Sequence, residues 1–328
     1  MRVGIMSFAH MHAFAYADCL RRLPDVQLAA IWDDDPTRGT DAAKQFDSKF
    51  IEDQSAFLNS ELDAVIITSE NIKHRAMVEA AAAAGLWILC EKPIATTIED
   101  AKAMIAACDA AGVGLGTAFP CRYIPSMMDV KKRIDAGELG EIYACSCTNN
   151  GQFPGGWFAD PALAGGGATM DHTVHIADAL RWLLGQEFTR VYCENGNLLR
   201  DGIDTDDVGS LHLEMDGGTM VSHVASWNRP ASFPTWGDVT MEIIGEKGVL
   251  AVDAFNQKID VYSDEAVKAE WANWGDDCNL GLVADFVDAI ANKRTPNVSG
   301  LDGLRALEVT TAAYVSAQRH QSVPIEQN

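Results

Sequence analysis

The stretch Gly165–Gly185 reads GGGATMDHTVHIADALRWLLG and puts a carboxylate and an imidazole at helical spacing. Three glycines lead into a pattern in which Ile176, Leu180, Leu183 and Leu184 share one apolar stripe. On such a helix Asp171 and His175 stand four residues apart, so both side chains leave from one face. A carboxylate beside an imidazole suits acid–base chemistry near neutral pH: the histidine carries the proton, and the aspartate holds its charge and orientation. The same spacing fits an ordinary helix start, with Asp171 as the cap and His175 as a polar residue on the outer face. Taken alone, the stretch leaves both readings open.

The elements that must position such a pair begin upstream. Apolar strands are expected at Arg2–Met6, Val26–Trp32, Ala64–Thr68, Trp87–Cys90 and Val113–Ala118. Helical patterns separate most of them, and Thr96 with Glu99 makes a capping box before the helix to Ala111. Strands alternating with helices mean βαβ units and a parallel sheet over residues 1 to about 120. Sheets of this kind bind ligands at the C-terminal ends of their strands. The residues expected there are Ser7, Phe8, Ala9, His10 and His12, then Asp33 and Asp34, then Thr68, Ser69, Glu70 and Asn71, and finally Glu91 and Lys92. His74, opening the next helix, joins them as a cofactor contact.

The first turn occupies the place of a dinucleotide fingerprint GxGxxG, but Ser7, Ala9 and His12 stand at its glycine positions. Small side chains at the first two still let a backbone approach a pyrophosphate at the helix N-terminus. His12 does not fit the close helix–strand packing of the third. Asp33 lies about 20 residues further on, the distance expected of a carboxylate that binds the adenosine ribose hydroxyls. Asp34 and Asp35 would repel a 2′-phosphate, which favours NAD over NADP, and Arg38 is the nearby cation that opposes this. His10 and His12, with His172 and His175 elsewhere, do not have a spacing that demands a metal, and none is expected.

After residue 120 the pattern changes. A helix is expected from Ser126 to Ala136, a strand at Ile142–Thr148, and a Gly/Pro/Trp-rich loop at Gln152–Trp157. From Arg190 strands dominate, with the hairpin signal Asp216-Gly217-Gly218 between two of them. Alternation in LHLEM and MVSHVASW implies a sheet with one packed face and one partly apolar, available face, with His212 and His223 on its surface. Such a face implies a homodimer or homotetramer formed through the C-terminal sheet. Helices at Asn279–Ala291 and Leu301–Gln318 close the chain. The division expected is a dinucleotide-binding domain over 1–121 and a substrate-binding and oligomerisation domain over 122–328.

The net charge of −22 argues against nucleic acid or an anionic membrane as partner, since phosphate binding needs a basic patch. Eight cysteines show no paired CxxC, and Cys145 and Cys147, the closest two, are read as facing opposite ways along a strand. The longest apolar run, Ala80–Cys90, is too short to cross a bilayer, and no signal peptide is read at the start. A cytoplasmic enzyme with reduced thiols is expected.

At Glu91-Lys92-Pro93 the run AGLWILCEKPIATTIEDAKAM resembles the strand–EKP–helix signature of the Gfo/Idh/MocA family of NAD(P)-dependent oxidoreductases. FPCRYIP (Phe119–Pro125), GGGATMDHTVHIAD and MEIIGEKGVLAVD (Met241–Asp253) agree with it. The resemblance implies an α/β chain: an N-terminal Rossmann parallel sheet and a C-terminal α/β domain on an open, largely antiparallel sheet. It also implies that Lys92, Asp171 and His175 meet around a substrate carbon facing the nicotinamide of NAD. In the NxRY-like stretch the first position is Pro120, so Arg122 and Tyr123 alone carry over as substrate contacts. His172 is a further candidate contact, and Trp157 a stacking platform for a sugar ring. The expected reaction moves a hydride between the cofactor and a sugar, inositol or related polyol. His175 would act as base, Lys92 would stabilise the developing alkoxide, and Asp171 would bind a neighbouring hydroxyl or orient the two cations. Two other readings stay open: a glycosidase or eliminase of the same family that oxidises its sugar transiently, and a nucleotide-sensing protein without turnover.

Overall fold

The computed structural model describes residues 1–233, 235–256, 258–264, 268–273 and 277–327, and the chain forms two compact units. Pro234, in the expected substrate loop Asn228–Trp236, lies outside the described residues. The first unit comprises Met1–Pro120, Ala162–Gly165 and Asn279–Leu304. Its six strands are β1 (Arg2–Met6), β2 (Gln27–Trp32), β3 (Lys49–Phe50), β4 (Ala64–Ile67), β5 (Trp87–Cys90) and β6 (Leu115–Thr117). They pair in parallel in the order β3-β2-β1-β4-β5-β6. The order reverses beside β1, which makes the C-terminal edge of β1 and β4 the natural ligand crevice. Val3, Ile5, Ile66 and Ile88 are solvent-free, as strands covered on both faces require.

The helices of this unit are α1 (His12–Arg22), α2 (Pro36–Gln45), α3 (Gln54–Leu58), α4 (His74–Ala83) and α5 (Ile98–Ala111). Asp35 caps α2 by accepting from the Thr37 and Arg38 amides, and Pro36 fits the first turn because its missing N–H has no partner there. The cap of α5 is Thr97, one residue beyond the threonine expected: its hydroxyl accepts from the Asp100 amide at 3.1 Å. β3 and α3 escape the sequence because segments so short show no period. The segment 279–304 belongs to this unit rather than to the second, an assignment that chain order alone does not reveal.

The second unit comprises Cys121–Pro161, Gly166–Cys278 and Arg305–Asn328. It contains α6 (Pro125–Asp135), β7 (Ile142–Gln152) and α8 (Ala168–Leu184); the short α7 (Pro161–Ala164) begins at its margin. There follow β8 (Phe188–Gly196), β9 (Val208–Met215), β10 (Met220–Arg229), β11 (Gly237–Gly245) and β12 (Gly248–Asp253). Next come β13 (Lys258–Ser263) and β14 (Lys268–Asn273), which form a separate antiparallel pair. The last elements in the chain are α9 (Cys278–Asn292), which from Asn279 on belongs to the first unit, α10 (Gly300–Arg319), which belongs to the second from Arg305, and β15 (Val323–Pro324). The large sheet runs β12-β11-β7-β10-β9-β8-β15 and is antiparallel except where β7 lies parallel to β10. The helix α8 packs across β7, β10 and β9.

Two expectations about this sheet are corrected. Cys145 and Cys147 share one buried face, because positions two apart on a strand point the same way. His223 is not a surface residue but 1% exposed, on the inward row of β10 with Val221 and Ala225, while Met220 and Val224 point outward. His212 does lie on the exposed row of β9. Among the described residues all eight cysteines are free, and no helix is long and apolar enough to cross a membrane.

A buried imidazole must be neutral. Burial lowers the His223 pKa from its ordinary 6.5 to about 3; a hydrogen bond to the Cys147 carbonyl opposes the shift, and the nearby His172 adds to it. Below pH ~6.5 the unfolded chain takes up a proton at this position that the folded chain refuses. Stability from His223 is therefore complete above pH ~6.5 and is lost as pH falls from there toward 3, on the order of a few kcal/mol in all. Urea unfolding between pH 7.5 and 4 should show this slope, and His223→Gln should flatten it. An unchanged slope in the variant would assign the acid sensitivity elsewhere.

Candidate functional site

At the C-terminal edge of the first sheet, the turn after β1 departs from the glycine fingerprint and closes on itself. Ser7 adopts a left-handed backbone (φ 73°), a conformation that glycine usually supplies. Its carbonyl accepts from the Thr68 hydroxyl at 2.6 Å, and the His10 amide donates to the Thr68 carbonyl at 2.9 Å, joining the ends of β1 and β4. His12, at the third glycine position, reaches across to the residue that follows β5. Its Nδ1 lies 2.7 Å from Glu91 Oε1, which also accepts from the Tyr16 hydroxyl at 2.6 Å. The other Glu91 oxygen accepts the Lys92 amide at 2.8 Å. Burial alone would raise the Glu91 pKa, but the His10 and His12 rings beside it, the hydrogen bond from His12 and the charge of Lys92 hold it far below the usual carboxylate range.

His10, His12 and Glu91 offer three ligand atoms within 4.8 Å of one another. The His12 amide, however, donates to His10 Nδ1 at 3.1 Å, so the neutral His10 ring carries its proton on Nε2. That proton makes the ring a donor suited to an anion and leaves it poorly prepared for a metal.

At the end of β2, Asp33 is fully engaged. It accepts from the Phe8 amide at 2.7 Å, from the Asp35 amide at 2.9 Å, and from Arg38 Nε and Nη2 at 2.9 and 2.6 Å. Arg38 also bonds Asp34 at 2.9 Å, and Lys73 bridges Asp34 to Glu70. Arg38 is thus not the sole cation here; the sequence reading missed Lys73, whose signal was its three-residue spacing from Glu70. Phe8 packs its ring against Phe14 and Phe46 and offers the site only its backbone. Ser69 is buried with its hydroxyl on the Glu70 carbonyl, and Asn71 donates to the Ala164 carbonyl at 2.8 Å. His74 is solvent-free and bonded to the carbonyls of Pro93, Ile94 and Ser69, so it braces the loops around the edge. A surface groove of about 1020 Å³, lined in part by Leu62, Trp87 and Gly114, opens near the opposite ends of β4, β5 and β6, away from all of these residues.

In the second unit, α8 carries Asp171 and His175. Its side chains are buried from Ala168 to Leu180 except for Asp171 and His175, which stand on one face and remain partly exposed. Asp171 is not the helix cap. That work falls to Asp206, from the loop before β9: its carboxylate accepts the Gly167 and Thr169 amides at 3.1 and 2.7 Å, and its carbonyl accepts the Ala168 amide at 2.9 Å. A Cβ on Gly167 would come 1.9 Å from the Asp206 carbonyl oxygen, so this approach needs glycine. Asp171 is left to accept from Trp227 Nε1 at 3.0 Å, with His172 Nε2 at 3.5 Å. Cys121 Sγ lies 4.0 Å from His175 Nδ1.

The expected substrate contacts fare unequally. Arg122 is buried and forked onto Asp178 at 2.9 and 2.6 Å, so its guanidinium ties the turn after residue 120 to α8. Tyr123 is half-buried at the end of that turn. Trp157 stacks on Phe158 at 3.9 Å, which commits one of its faces, and both pack with Ala168 and Trp227. His172 lies 6% exposed beneath the sheet, close to Gly151.

Two family models match the chain, one after the other. A family model for the NAD-binding Rossmann fold of the oxidoreductase family matches residues 1–119, and one for the GFO/IDH/MocA C-terminal domain matches residues 127–251. Similar curated proteins include the D-apiose dehydrogenase of Paraburkholderia graminis, 26% identical with 98% of this chain and 88% of that protein covered. The scyllo-inositol 2-dehydrogenase (NAD(+)) of Bacillus subtilis is also 26% identical, with 99% and 96% covered. Among solved structures, GenD2 from gentamicin A biosynthesis, in complex with NAD, has a TM-score of 0.90 at 24% identity, covering 100% of this chain and 97% of that one. Both halves match in the expected order and whole-length relatives align from end to end: the chain belongs to the Gfo/Idh/MocA family of oxidoreductases.

Proposed function

We propose that this chain is an NAD-dependent dehydrogenase or reductase acting on a sugar, inositol or related polyol. The observation that carries the reading is the state of α8: a helix buried nearly all round leaves Asp171 and His175 partly open while Asp206 does the capping. The named activities of its relatives, D-apiose and scyllo-inositol dehydrogenation, support the substrate class.

The residues at the first sheet edge fit a dinucleotide. Asp33 and Asp34 would receive the ribose hydroxyls, and the His10 ring, whose Nδ1 accepts from the His12 amide, would supply an N–H donor at the first turn in place of a glycine nest. Bound there, the cofactor supplies the hydride acceptor. The rest is the work of the chain's own groups. His175 takes the hydroxyl proton as the C–H electron pair leaves carbon as hydride, so the alcohol becomes a carbonyl and two electrons leave with the hydride. Lys92, an ammonium at the end of β5, hydrogen-bonds the same oxygen as its negative charge develops. Asp171, anchored by Trp227, accepts from a neighbouring hydroxyl and sets which carbon is presented.

Lys92→Ala and His175→Ala are each expected to lower turnover by about 10²-fold or more with NAD affinity retained. Absorbance of the reduced nicotinamide across a panel of sugars and polyols, with calorimetry for NAD and NADP, measures both. Normal rates in both variants would remove these roles.

We also place the protein in the cytoplasm, where eight free thiols stay reduced, and assign it a homodimer or homotetramer through the outward face of the large sheet. That face exposes Met220 by 61%, Val249 by 60%, Tyr143 by 45% and Val224 by 39%. Light scattering at micromolar concentration should give a multiple of 35.4 kDa, and Val224→Arg should reduce it. A wild-type monomer would overturn the assignment.

A further inference from the structure

Among the described residues Arg200 has no carboxylate partner. In a chain with 47 carboxylates, the other arginines that are not exposed, Arg38, Arg122, Arg181, Arg229, Arg294 and Arg305, each hold an ion pair. Arg200 makes no hydrogen bond or ion pair among the described residues, and its Nη1 is shut off from solvent. Leaving a guanidinium N–H both dry and unbonded costs stability. The group is nevertheless held firmly in place. Asp207, itself solvent-free, accepts the amides of Leu198 and Leu199 at 2.7 and 2.9 Å and so fixes the loop that carries Arg200.

The position of this cation is informative. Its Cζ sits 4.8 Å above the centre of the Phe153 ring, and Phe153 lies 5.4 Å from the Trp227 ring. Trp227 in turn donates to Asp171, and its amide bonds the Asp207 carbonyl at 2.9 Å. An aromatic floor thus runs from the catalytic-pair carboxylate to an unpaired guanidinium, all within the second unit.

We infer that the substrate is a sugar acid, a uronate or aldonate whose carboxylate is bound by Arg200 while a hydroxyl-bearing carbon is presented to His175. This rests on the dehydrogenase reading and narrows it. Stacking on Phe153 restricts the planar guanidinium, which suits a planar, monoanionic acceptor. A phosphate dianion would need more compensation than one cation offers inside a chain of net charge −22. The same overall charge repels any anionic substrate at long range, so an acid requires a dedicated local cation, whereas a neutral sugar gives no use for one. The carboxylate takes no part in the redox step: the hydride goes to the nicotinamide and the proton to His175, as for a neutral polyol.

The test compares a hexuronate and a hexonate with the neutral hexose and its 6-phosphate, following NAD reduction. Wild type should favour an acid over the neutral hexose by roughly tenfold or more in kcat/KM. Arg200→Gln should cut kcat/KM for the acid by roughly 10- to 100-fold, the range of a lost charge-assisted hydrogen bond, and collapse the acid-to-neutral ratio. Arg200→Lys, which keeps the charge, should retain part of that ratio. Calorimetry gives a readout apart from turnover: the acid should bind the NADH-loaded protein more weakly in Arg200→Gln by the same factor, with unchanged NAD affinity reporting an intact fold. A preference for the neutral hexose, with no loss in Arg200→Gln, overturns the sugar-acid inference and leaves the dehydrogenase reading standing. A preference for the phosphate overturns the carboxylate assignment. Should no compound reduce NAD, the dehydrogenase reading falls, and the acid affinities by calorimetry alone decide the role of Arg200.

Discussion

The Asp171–His175 face of α8 depends on a carboxylate that comes from another part of the chain. Helix starts leave amides without partners, and Asp171, in the first turn, is of a type that often satisfies them. Here Asp206 takes those amides from a loop, and Tyr314 reinforces it with a 2.6 Å hydrogen bond. Burial, together with the charge of Asp206, pushes the Tyr314 pKa well above its ordinary value, so the phenol stays a donor. The Gly167 amide splits between the Asp206 carboxylate and the Tyr314 oxygen. Were the cap supplied by Asp171 itself, the helix could form, but its carboxylate would no longer be available to a ligand. Close approach at Gly167 and the cap by Asp206 are thus one constraint, and together they relieve Asp171 of capping the helix.

A comparable exchange explains the missing glycine fingerprint. The third glycine ordinarily lets a helix sit close to its strand. His12 abandons that packing and makes a polar tie between the first helix and the end of β5 through Glu91 and Tyr16. Glu91 is solvent-free and stays ionised because the imidazoles, the phenol and the Lys92 amide surround it. Truncating one partner would leave a buried charge short of compensation, which is why such clusters hold their neighbours rigidly. Lys92 follows directly in the chain, so the altered turn also fixes the backbone from which that lysine projects.

The sequence was informative where a period or a short motif carried the signal. The alternation of apolar strands and helices revealed the parallel sheet, and the four-residue spacing of Asp171 and His175 put both on one face. What it hid were partnerships over long separations. Nothing near Arg122 announces Asp178, and nothing near Gly167 announces Asp206, an aspartate in a polar loop that looks like any surface turn. His223 misled because the strand MVSHVASW has apolar residues on both rows, so alternation did not say which row faces α8. Arg200 is equally silent: an arginine in a loop looks solvated until its hydrogen bonds are counted.

The same counting bears on the cofactor. Asp33 already accepts four hydrogen bonds, from two amides and two guanidinium N–H groups, about the capacity of a carboxylate. A ribose hydroxyl can donate to it only by displacing Arg38, and the displaced guanidinium still has Asp34, already 2.9 Å away. The exchange gives up the two guanidinium bonds on Asp33 for those of the ribose hydroxyls, while Arg38 keeps its bond to Asp34. Displacement does not create an anion site. Asp33, Asp34 and Glu70 face Arg38 and Lys73, which leaves the cluster one negative charge in surplus whichever way the arginine points. A ribose with free hydroxyls meets donors and acceptors that rearrange to suit it, whereas a 2′-phosphate meets a net negative edge. The preference for NAD therefore comes from the charge of the whole cluster and survives the engagement of Asp33 by Arg38.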